Sequence, residues 1–214
     1  MRAMSTQHAN RAARPKPYHH GNLRESLLEA ADRLLLRRGA AGMTLRDVAK
    51  AAGVSHAAPY HHFATLRDLR AAVAERAFIA LAESVEAACA ASDPRQRLVS
   101  ICQAYVAFAR RRPAHFRRMF GPLLTQRARY PGLRRAGDRA FAAVRNAARA
   151  YDPEQARLVA VIGWSLSHGL ANLHIDRALE SLPGPAPDPS RLAQDMVHYV
   201  FPPKRGSRRQ KARG

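Results

Sequence analysis

Two threonine–aspartate pairs constrain this chain more than any other feature in it. Thr44 precedes an apolar-periodic run and Asp47 stands three residues further on; Thr65 and Asp68 repeat the arrangement. Threonine accepts a hydrogen bond from the open start of a helix, and the acid three residues later supports the same end. Each pair therefore marks a helix start. The interval between them has room for one short helix, a turn and a second short helix. Gly53 supplies the turn, because glycine takes a positive φ at no steric cost. No stretch alternates apolar and polar β-branched residues, so the chain is expected to be all-α.

The same punctuation extends in both directions. Asn22, with Glu25 three residues on, opens a first helix whose apolar stripe is Leu23, Leu27, Ala31, Leu34 and Leu35, and Gly39 stops it. Asp93-Pro94, Asp152-Pro153 and Asp188-Pro189 each place a capping acid before a proline suited to the first helical position. Arg112-Pro113 breaks the helix opened at Pro94. A shorter helix follows to Phe120, another runs from Pro131 to Tyr151, and the last two span Pro153–Leu182 and Pro189–Phe201. Leu182 to Pro187 reads as a loop. These signals predict about nine helices. Residues 1–21 are expected to form a flexible basic arm, 22–64 a helix-turn-helix DNA-binding domain, 65–201 a helical ligand-binding and dimerisation domain, and 202–214 a disordered basic tail.

Charge narrows the partner. Lys and Arg number 36 against 16 Asp and Glu, a net +20. Arg2, Arg11, Arg14 and Lys16 lie in the arm with no acid, and the tail carries Lys204, Arg205, Arg208, Arg209, Lys211 and Arg213. A field of this sign suits a polyanion, usually nucleic acid; solvated arginines from a biased composition are the plainer alternative. Cys89 and Cys102 are single and widely spaced, which suggests neither a disulfide framework nor a zinc site. No Gly-rich phosphate loop, nucleophile elbow or H-E-x-x-H pattern is present. The reading is of a non-enzyme with no catalytic residue, no cofactor and no metal site. The basic start lacks a following apolar stretch, and no apolar run approaches the roughly 18–20 residues of a membrane span. A cytoplasmic, nucleoid-associated protein with no membrane partner is expected.

The functional signal is densest in TLRDVAKAAGVSHAAPYHHF, Thr44 to Phe63. Thr44 and Asp47 present backbone N–H groups at an exposed helix start, which can receive a DNA phosphate. Val48 and Ala49 face inward, and Val54 buries the turn. Ser55 caps a short second helix whose small Ala57 and Ala58 allow close approach to base edges in the major groove. Pro59, counted as the fourth residue of that helix, removes one ladder donor. Tyr60 and His61 can hydrogen-bond to phosphate or base edges, and Phe63 plugs the three-helix core. His61 and His62 point in different directions on a helix and do not form a metal pair. Tyr18-His19-His20 likewise reads as a hinge or DNA-facing segment.

The stretch from Tyr18 to Phe78, beginning YHHGNLRESLLEAADRLLLRRG, resembles the N-terminal domain of the tetracycline-repressor (TetR) family of bacterial regulators. Trp164, His168 and Gly169 in GWSLSHGL resemble the W-x-x-x-H-G signature of one TetR-type C-terminal class. The resemblance implies an all-helical homodimer that binds double-stranded DNA and a small-molecule effector, usually as a repressor. It places Thr44, Arg46, Ser55, His56, Ala57, Tyr60 and His61 on DNA. The family often carries a phosphate-directed lysine where this chain has Leu66, which moves that contact to Arg67.

In the C-terminal half two readings stand. Cys102, Tyr105, Phe108, Phe116, Met119, Phe120, Trp164 and His168 either line an apolar effector cavity, with His168 as its polar handle, or form ordinary core. Val159, Ile162, Leu166, Leu170 and Leu173, with Leu192, Met196, Val197 and Val200, either make a four-helix dimer interface or pack within a monomer. Three function classes follow: a ligand-responsive regulator, a non-specific architectural nucleic-acid binder, and an enzyme built on Cys102 and His168.

Overall fold

The computed structural model describes residues 23–38, 43–120, 128–181, 183–185 and 187–203. The arm at 1–21, the Asn22 cap, the Gly39 stop, part of the 182–187 loop and most of the tail lie outside the described residues. Among the described residues the regular structure is helical throughout. It comprises α1 (Leu23–Arg38), α2 (Leu45–Ala52), α3 (Leu66–Ala87), α4 (Pro94–Arg111), α5 (Pro113–Met119), α6 (Pro131–Tyr151), α7 (Ala156–Ile175) and α8 (Pro189–Val200).

Both threonine–aspartate pairs cap as expected. Thr44 is extended, at φ −118° and ψ 164°, and its side chain accepts from the Asp47 N–H while the Asp47 carboxylate accepts from the Thr44 N–H at 2.9 Å. Thr65 and Asp68 repeat this at the start of α3. Gly53, at φ 72°, ends α2. Its N–H donates to the Lys50 carbonyl at 3.2 Å and the Val54 N–H to Ala49 at 3.0 Å, which satisfies two carbonyls of the final turn.

Two expectations are corrected. The segment after the turn is not an α-helix capped by Ser55 but a 3₁₀ turn, Ala58–His61, leaving eight α-helices rather than nine among the described residues. Pro59 is the reason. In an α-helix the Ser55 carbonyl would accept from residue 59, and proline has no N–H to give. Ala58 donates to it instead at 3.0 Å, Tyr60 follows to Ala57 at 3.1 Å, and the tighter spacing propagates. The second correction is at Asp152-Pro153. Asp152 accepts from the Gln155 N–H at 3.1 Å, but α7 begins only at Ala156 and ends at Ile175, followed by a separate 3₁₀ turn at Ala178–Ser181.

The helices form two cores that share α3. Leu27, Leu28, Ala31, Leu35, Leu45, Val48 and Phe63 close against Leu69, Ala72 and Val73 of α3. The next turns of the same helix turn Ala74, Ala77, Phe78, Leu81 and Val85 into a second core with α4 to α8. A 22-residue helix is about 33 Å long, so α3 is one rigid rod embedded at both ends. By length and composition alone α7 could cross a membrane, with mean hydropathy 1.3, where the sequence reading found no such run. Of that apolar window 33% is buried, with Val159, Ala160, Gly163, Leu170 and Ala171 packed inward.

Candidate nucleic-acid interface and effector cavity

The first site is the exposed side of the three-helix unit. Thr44, Arg46, Ser55, His56, Ala57, Tyr60, His61 and Arg67 line it. Each of the eight is exposed, Tyr60 by 56%, and they fall in the chain between the start of α2 and the start of α3. Pro59 is buried, as is Phe63, which anchors the 3₁₀ turn with the Arg24 guanidinium 5.8 Å from its ring centre. The outward residues therefore stand on a short loop-like scaffold held down at two points. Leu66 packs against the first core, so it contributes packing at the start of α3 while Arg67 follows it toward solvent. The sequence reading passed over Lys50. It is exposed one helical turn after Arg46, on the same side of α2, and the i, i+4 spacing was the available signal.

The second site is a cavity of about 210 Å³ between α3, α4, α6 and α7. Phe78, Leu81, Tyr105, Phe120, Ala140, Phe141, Val144 and Trp164 line it, with Gly137 and Asp138 of α6. Its rings are fixed by edge-on packing: Phe78 on Phe120 at 5.3 Å and Phe141 on Trp164 at 5.6 Å. Of the eight residues singled out from sequence, Tyr105, Phe120 and Trp164 reach the cavity wall. Phe108, Phe116 and Met119 are buried in the surrounding core. His168 stands behind Phe120, with ring centres 4.4 Å apart. The α6 and α3 contributions were not singled out, although Gly137, Ala140, Phe141 and Val144 recur at helical spacing.

A polar contact runs behind this wall: the Tyr105 hydroxyl oxygen lies 3.0 Å from His168 Nδ1, with the Trp164 and His168 ring centres 6.2 Å apart. Burial holds the His168 pKa below its ordinary value and raises that of Tyr105, which favours the neutral form of both groups in this contact. Cys102 makes a different pairing, 2.6 Å from the Ser167 hydroxyl, which in turn donates to the Gly163 carbonyl at 2.7 Å. Burial pushes the Cys102 thiol up to about 11, which leaves no thiolate for nucleophilic chemistry near neutral pH. Cys102 and His168 are thus each engaged elsewhere and do not pair with each other. Among the described residues no group of three or more His, Cys, Asp or Glu side chains could hold a metal ion.

The two sites are joined through α3. Tyr130, just before α6, donates from its hydroxyl to Asp68 Oδ1 at 3.1 Å, the same carboxylate that caps α3. Glu75 of α3 lies so close over Gly132 in the first turn of α6 that a side chain there would displace its carboxylate. On the other side His115 of α5 meets Asp32 of α1 at 3.1 Å, and Arg76 of α3 meets Glu25 at 2.9 Å.

Two family descriptions match the chain. Residues 27–73 match "Bacterial regulatory proteins, tetR family", and residues 98–200 match "Tetracyclin repressor-like, C-terminal domain", a span that contains Trp164, His168 and Gly169. The chain belongs to the TetR family. This TetR-family chain is a DNA-binding transcriptional regulator. Among solved structures, a protein of unknown function from Rhodococcus sp. RHA1 is 29% identical with a TM-score of 0.72, over 87% of this chain and 99% of that one. The multidrug binding protein EbrR, complexed with imidazole, is 26% identical with a TM-score of 0.58, over 86% and 97%. The TetR family regulator PfmR from Thermus thermophilus shares the fold at 22% identity and TM-score 0.58, over 82% and 96%. No curated protein matches the TetR-family chain.

Proposed function

We propose that this regulator is a cytoplasmic, nucleoid-associated homodimeric repressor that leaves a palindromic operator when a small, largely apolar effector enters the C-terminal cavity. The observation that carries the proposal is the double duty of α3. Leu69, Ala72 and Val73 belong to the core of the DNA-binding unit, and Phe78 and Leu81, two to three turns on, form part of the cavity wall. A ligand that changes the packing at Phe78 acts on the same rod that positions residues 44–67. The required coupling is only about 1–3 kcal/mol.

Thr44, Arg46, Ser55, His56, Ala57, Tyr60, His61 and Arg67 are the proposed DNA contacts, with the basic arm adding affinity that falls with salt. Tyr105, Phe120 and Trp164 are the proposed effector contacts from the original eight. Cys102, Phe108, Phe116, Met119 and His168 support them from behind.

Dimerisation is supported by the outer face of α7 and α8. Of the stripe expected there, Val159 and Leu170 turn inward and are buried while Leu173 is exposed by 47%, and outside the stripe Leu158 and Val161 are exposed by 55% and 45%. On α8 Val197 is buried, and Tyr199 is 91% exposed. An apolar face of this length suits a second copy of the same two helices, which would set the two DNA-reading segments about 34 Å apart. An electrophoretic shift on the DNA upstream of the regulator's own gene tests the reading. Tight binding to one palindromic segment supports it. Equal affinity for unrelated sequences at moderate salt would instead select the architectural alternative.

A further inference from the structure

The chemistry of the cavity wall is more specific than "apolar". Five of its lining residues are aromatic: Phe78, Tyr105, Phe120, Phe141 and Trp164. They cross one another steeply, Phe78 on Phe120 at 70° and Phe141 on Trp164 at 62°. An aromatic ring is positive at its edge and negative on its face. Whichever part of a wall ring borders the space, a second aromatic ring has the complementary part to offer. A saturated ring of equal size has no π face, and gains only what burial gives any apolar group.

The polar groups around this wall already have partners. The Tyr105 hydroxyl oxygen lies 3.0 Å from His168 Nδ1. Asp138 is exposed and is engaged within the protein. The Arg145 guanidinium sits over the Phe141 ring, 5.8 Å from its centre. Among the described residues no lysine, arginine or histidine lines the cavity. A charged ligand of either sign would leave water here and find no counter-ion, and such a transfer is costly.

Size adds a further limit. A cavity of about 150 Å³ accommodates benzene. The cavity here, at about 210 Å³, takes one ring with a compact substituent.

We infer that the effector is an uncharged arene of one ring with a compact substituent, held among Phe78, Tyr105, Phe120 and Trp164. This rests on the cavity being the effector site, and the test separates the two ideas. The probes are ethylbenzene, its saturated counterpart ethylcyclohexane, and two charged relatives, 2-phenylethylammonium and phenylacetate. The full-length protein is used, and occupancy is read from the emission of Trp164, the sole tryptophan in the chain, and from calorimetry. Ethylbenzene should bind about tenfold more tightly than ethylcyclohexane, and neither charged relative should bind. A wall that selects on apolarity alone gives the reverse order, because water solvates the saturated ring less well. Phe120→Leu keeps an apolar wall with one ring fewer and should bring the two affinities closer together. Ala140→Leu fills the cavity and should abolish the binding of both.

Ethylcyclohexane binding as tightly as ethylbenzene to wild type would overturn the preference for a ring and leave the cavity reading intact. An ammonium or carboxylate that matches ethylbenzene would likewise overturn only the claim of neutrality. An affinity ratio unchanged by Phe120→Leu would overturn the assignment of the preference to the aromatic wall. Undiminished binding to Ala140→Leu, or no change in Trp164 emission and no binding heat with any probe, would overturn the cavity reading as well.

Discussion

The two cores that share α3 are built from different materials. The N-terminal core is almost wholly aliphatic: leucines, alanines and valines from α1, α2 and α3, with Phe63 as its one ring among the described residues. The C-terminal core is rich in rings, with Phe78, Tyr105, Phe108, Phe116 and Phe201 buried in it and Phe120, Phe141 and Tyr151 packed on it. Branched aliphatic chains interdigitate to fill a small volume completely. Rigid planar rings packed edge-on leave gaps between them, and the cavity is such a gap. The first core is therefore a closed device for holding a surface still, and the second an open one with space to be filled.

The largest expected effect tests the closed core. Leu28 is fully buried there. Leu28→Ala should cost about 2–5 kcal/mol and abolish specific DNA binding. Trp164 emission, which reports on the second core, should remain native under the same conditions. Loss of both signals together would show that the shared helix makes the two cores one cooperative unit.

Next in size is a paired enlargement of alanine. Ala31 is fully buried in the first core, and Ala140 is buried at the cavity wall of the second. Ala31→Leu has nowhere to put its extra atoms and should destabilise by about 1–3 kcal/mol. Ala140→Leu should leave stability unchanged or raise it by about 0.5–2 kcal/mol, as cavity-filling changes do, and, on the proposed function, should leave the regulator on DNA at any effector concentration. Thermal melts and ligand-release assays on the two variants check this. Equal destabilisation by both would mean that the cavity wall is as tightly packed as the first core.

The same contrast explains what was legible in the sequence. Thr44, Asp47, Gly53, Thr65 and Asp68 act locally, through hydrogen bonds to their own near neighbours, and the helix starts they mark were readable from the residues alone. Pro59 was read correctly as a lost donor. The consequence, a shift of the whole segment to 3₁₀ spacing, depended on which donor would replace it at the Ser55 carbonyl. The stripe on α7 left two readings open; Val159, Ile162, Leu166 and Leu170 pack within the protomer, while the exposed Leu158 and Val161 lay outside the stripe, because the helix is apolar on both sides and period alone does not say which side faces inward. The cavity was the least legible feature. Tyr105, Phe120 and Trp164 stood out as aromatic, but Phe78, Leu81 and Val144 have the signature of any core residue. An unfilled volume belongs to the packing of several helices and has no residue pattern of its own.

The smallest expected effect lies in the polar contact behind the cavity, and it has no counterpart in the aliphatic core. His168 is half-buried and its pKa is held below the ordinary value by desolvation. Unfolding releases the ring to water, where it binds a proton more readily, so acid favours the unfolded state. The stabilising contribution of neutral His168 is therefore fully present above the ordinary histidine pKa of about 6.5 and is lost as the pH falls through the lowered value. With both ring nitrogens protonated, Nδ1 can only donate toward the Tyr105 hydroxyl oxygen 3.0 Å away, which alters the contact behind a ring that lines the cavity. Melting temperature should thus fall between about pH 7 and pH 5, and effector affinity should fall with it. His168→Gln keeps an acceptor for Tyr105 without a titrating group, and its melting temperature and effector affinity should show a shallower dependence over the same range. If the wild-type and His168→Gln slopes coincide, the acid sensitivity arises in other side chains, and the Tyr105–His168 contact serves packing alone.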